Sequence, residues 1–321
     1  MQQTEICVAG IHFIQEDSAA EIGNAVKEFI QTGKATAPTP NYPLERPRGM
    51  EIRYQGETLR LEFDPGSGVA HLEFNLPKSL NALNLQMAKE LAECAADLDT
   101  DPGVRALIIS GAGKAFCAGG DLSAVHQAVQ QKGPSGGELL LKQMTGHLHM
   151  AISRFARMNA PVIAVVTGPA AGAGFSLACQ SDMCLASPKA TFSMAYTGAG
   201  LVPDGSSTYF LSKHIGHRRA LELMLTNKSI NAKTAFDWGL VNDVVHEKDI
   251  MEEAFKIAKT LAKGATQAYG EVKRLLLSGE GLEAQMELES RAISGIINGK
   301  DAQNGVAAFV NRKKPVFTGR R

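Results

Sequence analysis

Two glycine-rich segments offer main-chain groups suited to chemistry, Phe116-Cys-Ala-Gly-Gly-Asp-Leu122 and Gly168-Pro-Ala-Ala-Gly-Ala-Gly-Phe175. Each lies where a strand-like run meets a helical pattern. Backbone N–H groups at a helix start lack an intrahelical acceptor and sit at the positive end of the helix dipole. Two of them converging on one point would hold a developing oxyanion. Taken singly, the same glycines would only permit tight turns with positive φ. Known phosphate-binding signatures fit neither segment. No GxxxxGK[ST] occurs, and Gly172-Ala-Gly174 runs on into Phe175, Ser176 and Leu177 without the last glycine of GxGxxG. Gly174-Phe-Ser176-Leu-Ala178 approaches the nucleophile elbow GxSxG, with Asp204 and His214 or His246 following in triad order. A serine hydrolase is therefore one alternative.

The elements that must position these turns are regular. Thr58–Phe63 and Val69–Phe74 alternate apolar and polar residues around Asp64-Pro-Gly-Ser-Gly, which predicts a hairpin. Asn84 caps a helix with Met87, Leu91, Cys94 and Leu98 on one side, and Asp101-Pro102 ends it. Val104–Ser110 reads as a buried strand before the first glycine turn. A helix over Glu138–Met158 and a strand over Val162–Val166 precede the second. Strands at Met183–Ala186 and Ala190–Met194 follow. The stretch from Ser123 to Met150, with Gly133-Pro-Ser-Gly-Gly137, shapes a pocket and reads as mobile. Helices then dominate, over Ala232–Trp238, Asp249–Lys263, Ala268–Leu277 and Leu282–Asn298. Residues 1–49 read as an N-terminal extension and linker, with an amphipathic helix over Ala19–Gln31 and four prolines after it. Residues 50–230 form the sheet-bearing core and 231–321 a helical C-terminal part.

Composition narrows the function classes. The chain has 321 residues, with 33 Lys+Arg against 33 Asp+Glu and a net charge of zero. That balance argues against coating nucleic acid or an anionic membrane, which require a basic excess. Five cysteines without a CxxC pair read as free thiols in a reducing compartment. Eight histidines without HExxH give no metal site. Met158 to Ser181 carries no charge, but Pro161, Gly168, Pro169, Gly172 and Gly174 break it up, so it does not read as a membrane span. With no secretory signal at the N-terminus, the reading is cytoplasmic.

At the two glycine turns the chain resembles the enoyl-CoA hydratase/isomerase (crotonase) family. The blocks are AFCAGGDL at 115–122, PVIAVVTGPAAGAGFSLACQSDMCLAS at 161–187, GLVPDG at 200–205, RRALELMLTNKSINAKTAFDWGLVNDVV at 218–245 and GVAAFVNRKKPVFTG at 305–319. They recur in family order over about residues 51–319, leaving out the N-terminal extension. The resemblance implies an α/β fold, a crotonase-like spiral of ββα repeats with a helical C-terminal trimerisation part. It implies an acyl-CoA thioester as ligand, with coenzyme A entering as part of the substrate and no other cofactor. A homotrimer or dimer of trimers is the implied assembly. By position, the amides of Gly120 and Ala173 would form the oxyanion hole. Asp121, Leu122 and Ser123 would line the adenine recess beside Gly120, and Ala118 would bind substrate. Phe309, Arg312 and Lys313 fall where the family reaches the CoA, often from a neighbouring subunit.

The two glutamates of the family's hydratases would align with Ser176 and Tyr196, neither of which is a carboxylate. Instead Pro203-Asp204-Gly205 matches the Asp-dependent branches. In one branch, ring-epoxide or unsaturated acyl-CoA thioesters are isomerised. In the other, the 4-chlorobenzoyl-CoA dehalogenases, the aspartate attacks a ring carbon. The resemblance to the latter places His149 at the catalytic histidine and Tyr196 at the tryptophan that supports the nucleophile. Hence the expectation is isomerisation with Asp204 as the base, the alternatives being dehalogenation or hydrolysis with Asp204 as nucleophile, or an acyl-CoA binder without catalysis. Without that context, Asp204 is a turn residue, His149 a surface histidine and Tyr196 a core aromatic.

Overall fold

Ala106–Gly111 and Val162–Val166 are apolar on both faces, so each must lie inside a sheet covered on either side. They do so in the computed structural model, which describes residues 49–279 and 282–319, all within the unit Leu44–Arg321. Ala19–Gln31 and Cys7 lie outside the described residues. In chain order, β1 (Glu51–Gln55), β2 (Leu59–Asp64) and β3 (Val69–Phe74) precede α1 (Leu85–Thr100) and β4 (Ala106–Gly111). Next come α2 (Leu122–Lys132), α3 (Pro134–Arg157), β5 (Val162–Val166), β6 (Pro169–Ala171) and α4 (Ala173–Cys179). β7 (Met183–Ala186), β8 (Thr191–Ser193), α5 (Ser207–Ile215), α6 (His217–Thr226) and β9 (Ile230–Asn231) follow. The last elements are α7 (Ala232–Asp237), β10 (Asp243–Val244), α8 (Ile250–Ala262), α9 (Thr266–Ser278), α10 (Leu282–Ile296) and α11 (Lys300–Val310).

Seven strands form one sheet in the order β1-β2-β3-β4-β5-β7-β10, antiparallel up to β3 and parallel beyond it. A second sheet, β6-β8-β9, carries the turn before α4. The main core packs α1, α3 and α4 against one face of the large sheet. On the opposite face α8 contributes Ile250, Met251, Ala254, Phe255, Ala258 and Ala262. Thus β10 and α8, within the segment read from sequence as a helical C-terminal part, are built into the sheet layers. The fold is mixed α/β with a central sheet and a C-terminal helical region. No helix among the described residues is long and apolar enough to cross a membrane, and residues 158–181 are divided among β5, β6 and α4.

The alternation in β3 predicts one wet face, yet all six of its residues are buried. α8 covers the second face, and the buried His71 there places Nε2 2.7 Å from Ser110 Oγ on β4. The reading of Gly133–Gly137 as a mobile loop also needs correction. Gly133 takes φ 70° before α3, Pro134 occupies the first turn, and Gly136 and Gly137 are buried against α2. A Cβ at either glycine would meet Ala128 O at 2.6 Å or Val129 Cγ2 at 2.5 Å, so the close α2–α3 packing depends on them.

One buried carboxylate joins α1 to the first hairpin. Glu90 accepts hydrogen bonds from the amides of Glu57, Thr58 and Leu59, from Thr58 Oγ1 and from Gln86 Nε2. Burial alone would raise its pKa, but these donors outweigh burial and hold it below the ordinary 4.5. A depressed folded-state value stabilises the fold above the unfolded value, and that stability is lost as pH falls through the folded one. Glu90→Gln is therefore expected to cost about 1.5–3 kcal/mol at neutral pH, the scale of hydrogen bonds to a charged group. In urea unfolding the deficit should shrink as the pH is taken below about 4.5.

Candidate active site

Both glycine turns arrive at the same place. Cys117 and Ala170 form a parallel bridge, as do Leu83 and Gly120. Ala171 N donates to Cys117 O at 2.9 Å, and Leu83 N donates to Gly119 O at 2.7 Å. Asp121 N returns to Leu83 O at 2.8 Å, so the intervening Gly120 amide faces away from that strand. Gly172, at φ 48°, brings its backbone beside Gly119: a Cβ there would lie 3.5 Å from Gly119 Cα. Ala173 is the first residue of α4, where an amide has no intrahelical acceptor. Neither Gly120 N nor Ala173 N finds an acceptor among the described residues. Both residues line one cavity of about 110 Å³.

The rest of that cavity is mostly apolar. Leu122 comes from α2, and Leu141, Met144, Thr145 and Leu148 come from α3, with Ala199 and Leu201 opposite. Leu122 and the stretch that holds 141, 144, 145 and 148 are expected at the pocket from sequence, and those four positions share one helical face; Ala199 and Leu201 are not expected there. Among the described residues Asp204 supplies the sole carboxylate of the lining. Its Oδ1 lies 2.7 Å from His149 Nε2 on α3, and Oδ2 has no partner among the described residues.

The main chain of Asp204 is fixed by neighbouring hydroxyls. Ser176 Oγ donates to its carbonyl at 2.7 Å and Ser207 Oγ at 2.9 Å. Tyr196 OH lies 3.2 Å from Ser176 Oγ and 3.4 Å from the same carbonyl. Burial pushes the Tyr196 phenol up, so it stays protonated and serves as a hydrogen-bond donor. It reaches the backbone of Asp204 and not the carboxylate. Gly205, at φ 62°, seats this turn on Ser176, whose Cβ would be 2.9 Å from a side chain at that glycine.

Several sequence alternatives dissolve in this geometry. Ser176 is fully buried, and the serine-hydrolase array is not assembled. His214 Nε2 binds Cys179 O at 2.8 Å, and His246 Nδ1 accepts from Lys248 N, so neither reaches the serine. Cys117, within the first turn, is fully buried, and burial raises its thiol to about 11, too high for a thiolate nucleophile. Asp121 uses its carboxylate to cap α2, accepting from Ser123 N and Ala124 N at 3.1 Å. Ala118 and Leu122 line the cavity, whereas Asp121 and Ser123 do not. Arg312 and Lys313 are exposed after α11 and do not meet this cavity, and the side chain of Phe309 lies outside the described residues. Among the described residues no cluster of three or more His, Cys, Asp or Glu is arranged for a metal ion.

The arrangement of two unpaired amides, a carboxylate with one unengaged oxygen and an apolar wall fits carbonyl-activating chemistry. The family model for enoyl-CoA hydratase/isomerase matches residues 64–320, and the chain belongs to that family of acyl-CoA enzymes. It is 35% identical over 257 residues to 1,2-epoxyphenylacetyl-CoA isomerase of Escherichia coli strain K12, spanning 79% of this chain and 96% of that protein. Against 4-chlorobenzoyl coenzyme A dehalogenase-2 of Arthrobacter sp the identity is 32% over 248 residues, spanning 77% and 88%. A crystal structure of an enoyl-CoA hydratase/isomerase from Mycobacterium abscessus superposes with a TM-score of 0.75 at 33% identity, covering 82% of this chain and all of the other. The fold is accordingly the crotonase fold.

Proposed function

We propose that the chain isomerises an unsaturated or ring-epoxide acyl-CoA thioester, with Asp204 as the proton-transfer group. One observation carries the reading: among the described residues the only carboxylate in the cavity wall is Asp204, while Ser176 and Tyr196 offer hydroxyls that brace its main chain. The thioester oxygen accepts from Gly120 N and Ala173 N. Charge then moves onto that oxygen as a C–H beside the carbonyl loses its proton, each good donor lowering the barrier by roughly 3–4 kcal/mol. Asp204 takes the proton through Oδ2 and returns it to another carbon, so substrate and product have the same mass. His149 holds Oδ1 and orients the carboxylate. The substrate brings its own coenzyme A, and the reaction uses no further cofactor.

The His149–Asp204 contact also favours a second reading, in which Asp204 attacks an activated aryl carbon and His149 activates the water that releases the ester. Unsaturated, epoxidised and halogenated acyl-CoA thioesters, each incubated with the protein and followed by mass spectrometry, separate the two. A mass-neutral product is expected. Halide loss, with solvent oxygen appearing in Asp204 after one turnover, would replace isomerisation with nucleophilic displacement. A gain of one water would make the protein a hydratase.

The assembly that fits is a homotrimer, or a dimer of trimers, in the cytoplasm. Exposed Val272, Leu276 and Ile293 on α9 and α10 are apolar surface for a second copy to cover. Arg312 and Lys313 would then meet CoA phosphates bound by a neighbour. Among the described residues four buried cysteines carry no disulfide, which suits a reducing compartment.

A further inference from the structure

The His149–Asp204 pair separates two cavities. Asp204 belongs to the wall of the first, and His149 to the wall of a second of about 400 Å³. This outer cavity is lined by Ile152, Ala156, Tyr209, Phe210 and Leu277, with Ser153 and Arg157 at its polar side. The two share supports: Leu148 on α3 faces the inner cavity and Ile152, one turn later, the outer. Asp204 and Ser206 do the same on the following turn.

Volume decides what the inner cavity can hold. Benzene fills a cavity of about 150 Å³, and the inner one measures about 110 Å³. The inner space therefore takes the thioester carbonyl and the reacting carbons at Asp204, and the remainder of a longer acyl group extends beyond it. The His149 side chain is 54% exposed, so its ring has solvent to swing into, on the nanosecond scale of exposed rotamers.

We propose that the outer cavity is the subsite for the distal part of an extended, apolar acyl chain, and that His149 is the gate through which the chain passes. The occupant is the substrate's own tail, because the cavity adjoins the reacting carboxylate and is apolar along α3 and α5. This deepens the acyl-CoA reading and rests on it. A short acyl group leaves His149 on Asp204 Oδ1; a long one displaces the ring, so chain length and the His149 contact are coupled.

The test compares linear enoyl-CoA thioesters of about four and about ten carbons. Ser153→Trp narrows the outer cavity from an exposed rim position whose hydroxyl accepts from Arg157 Nη1 at 2.8 Å. It is expected to lower kcat/KM for the long substrate at least about tenfold while leaving the short one within about twofold. His149→Ala should raise the ratio of long-chain to short-chain kcat/KM. Equal effects of Ser153→Trp on both lengths, or none on either, would overturn the subsite; a second copy seated on this cavity would give the same result. If no acyl-CoA thioester is turned over, the isomerase reading fails by itself. Calorimetry with saturated acyl-CoA thioesters then decides the subsite. Affinity that rises with length in the parent and not in Ser153→Trp supports it, and length-independent or absent binding rejects it.

Discussion

Asp204→Asn is expected to lower kcat by about 10²–10⁴-fold, the usual contribution of a positioned acid–base group, while acyl-CoA thioester affinity stays within about threefold. In barrier height that is about 3–5.5 kcal/mol, at 1.36 kcal/mol per tenfold. The substitution is close to isosteric, and the hydroxyls of Ser176 and Ser207 bind the main-chain carbonyl at this position, which asparagine keeps. An amide oxygen can still meet a protonated His149 Nε2, so the turn and the α3 wall have no reason to move. What disappears is the ability of the second carboxylate oxygen to take a proton from carbon. Single-turnover rates and calorimetric Kd values separate the two effects. Turnover within about tenfold of the parent would remove the aspartate from the chemistry, and a matching loss of affinity would make its part ground-state binding.

How much of this could be read before the structure depended on whether the signal was local. Val162–Val166 is an unbroken apolar run between turn residues and forms the expected strand with the same bounds. Asn84 caps α1 as expected, accepting from Met87 N at 2.8 Å. By contrast α2 buries no residue, so no stripe in the sequence announces it; its place comes from the Asp121 cap and from two glycines of α3 beneath it. α5 escaped in a similar way, since its buried face consists of only Ser207, Leu211 and Ile215. Within the site, Pro203-Asp204-Gly205 has the sequence of an ordinary turn and is one, with Gly205 at φ 62°. Its chemistry arises from where the turn is seated, on Ser176 and against His149, through contacts between segments far apart in the chain. The same seating buries Ser176 and defeats the GxSxG reading, which spacing alone could not do.

Gly174→Ala tests the other half of the site, the amide pair. A Cβ at Gly174 would lie 2.1 Å from Cys117 O and 2.6 Å from Cys117 Cβ. The obstacle is mainly backbone of the first glycine turn, tied down by the Cys117–Ala170 bridge, and no side-chain rotation relieves it. The start of α4 must therefore withdraw, and Ala173 N, one residue earlier, withdraws with it from the turn that carries Gly120 N. Overpacking of this kind costs about 1–3 kcal/mol of stability. Loss of one oxyanion donor lowers kcat by about 10²–10³-fold. Gly146→Ala is the control: nothing lies within 4 Å of a Cβ there, and in the interior of α3 alanine should add up to about 1 kcal/mol. The decisive measurement is kcat under conditions where urea unfolding shows Gly174→Ala to be fully native. Catalysis retained within about threefold in that folded variant would mean that the Ala173 amide does not bear the charge developing on the thioester oxygen.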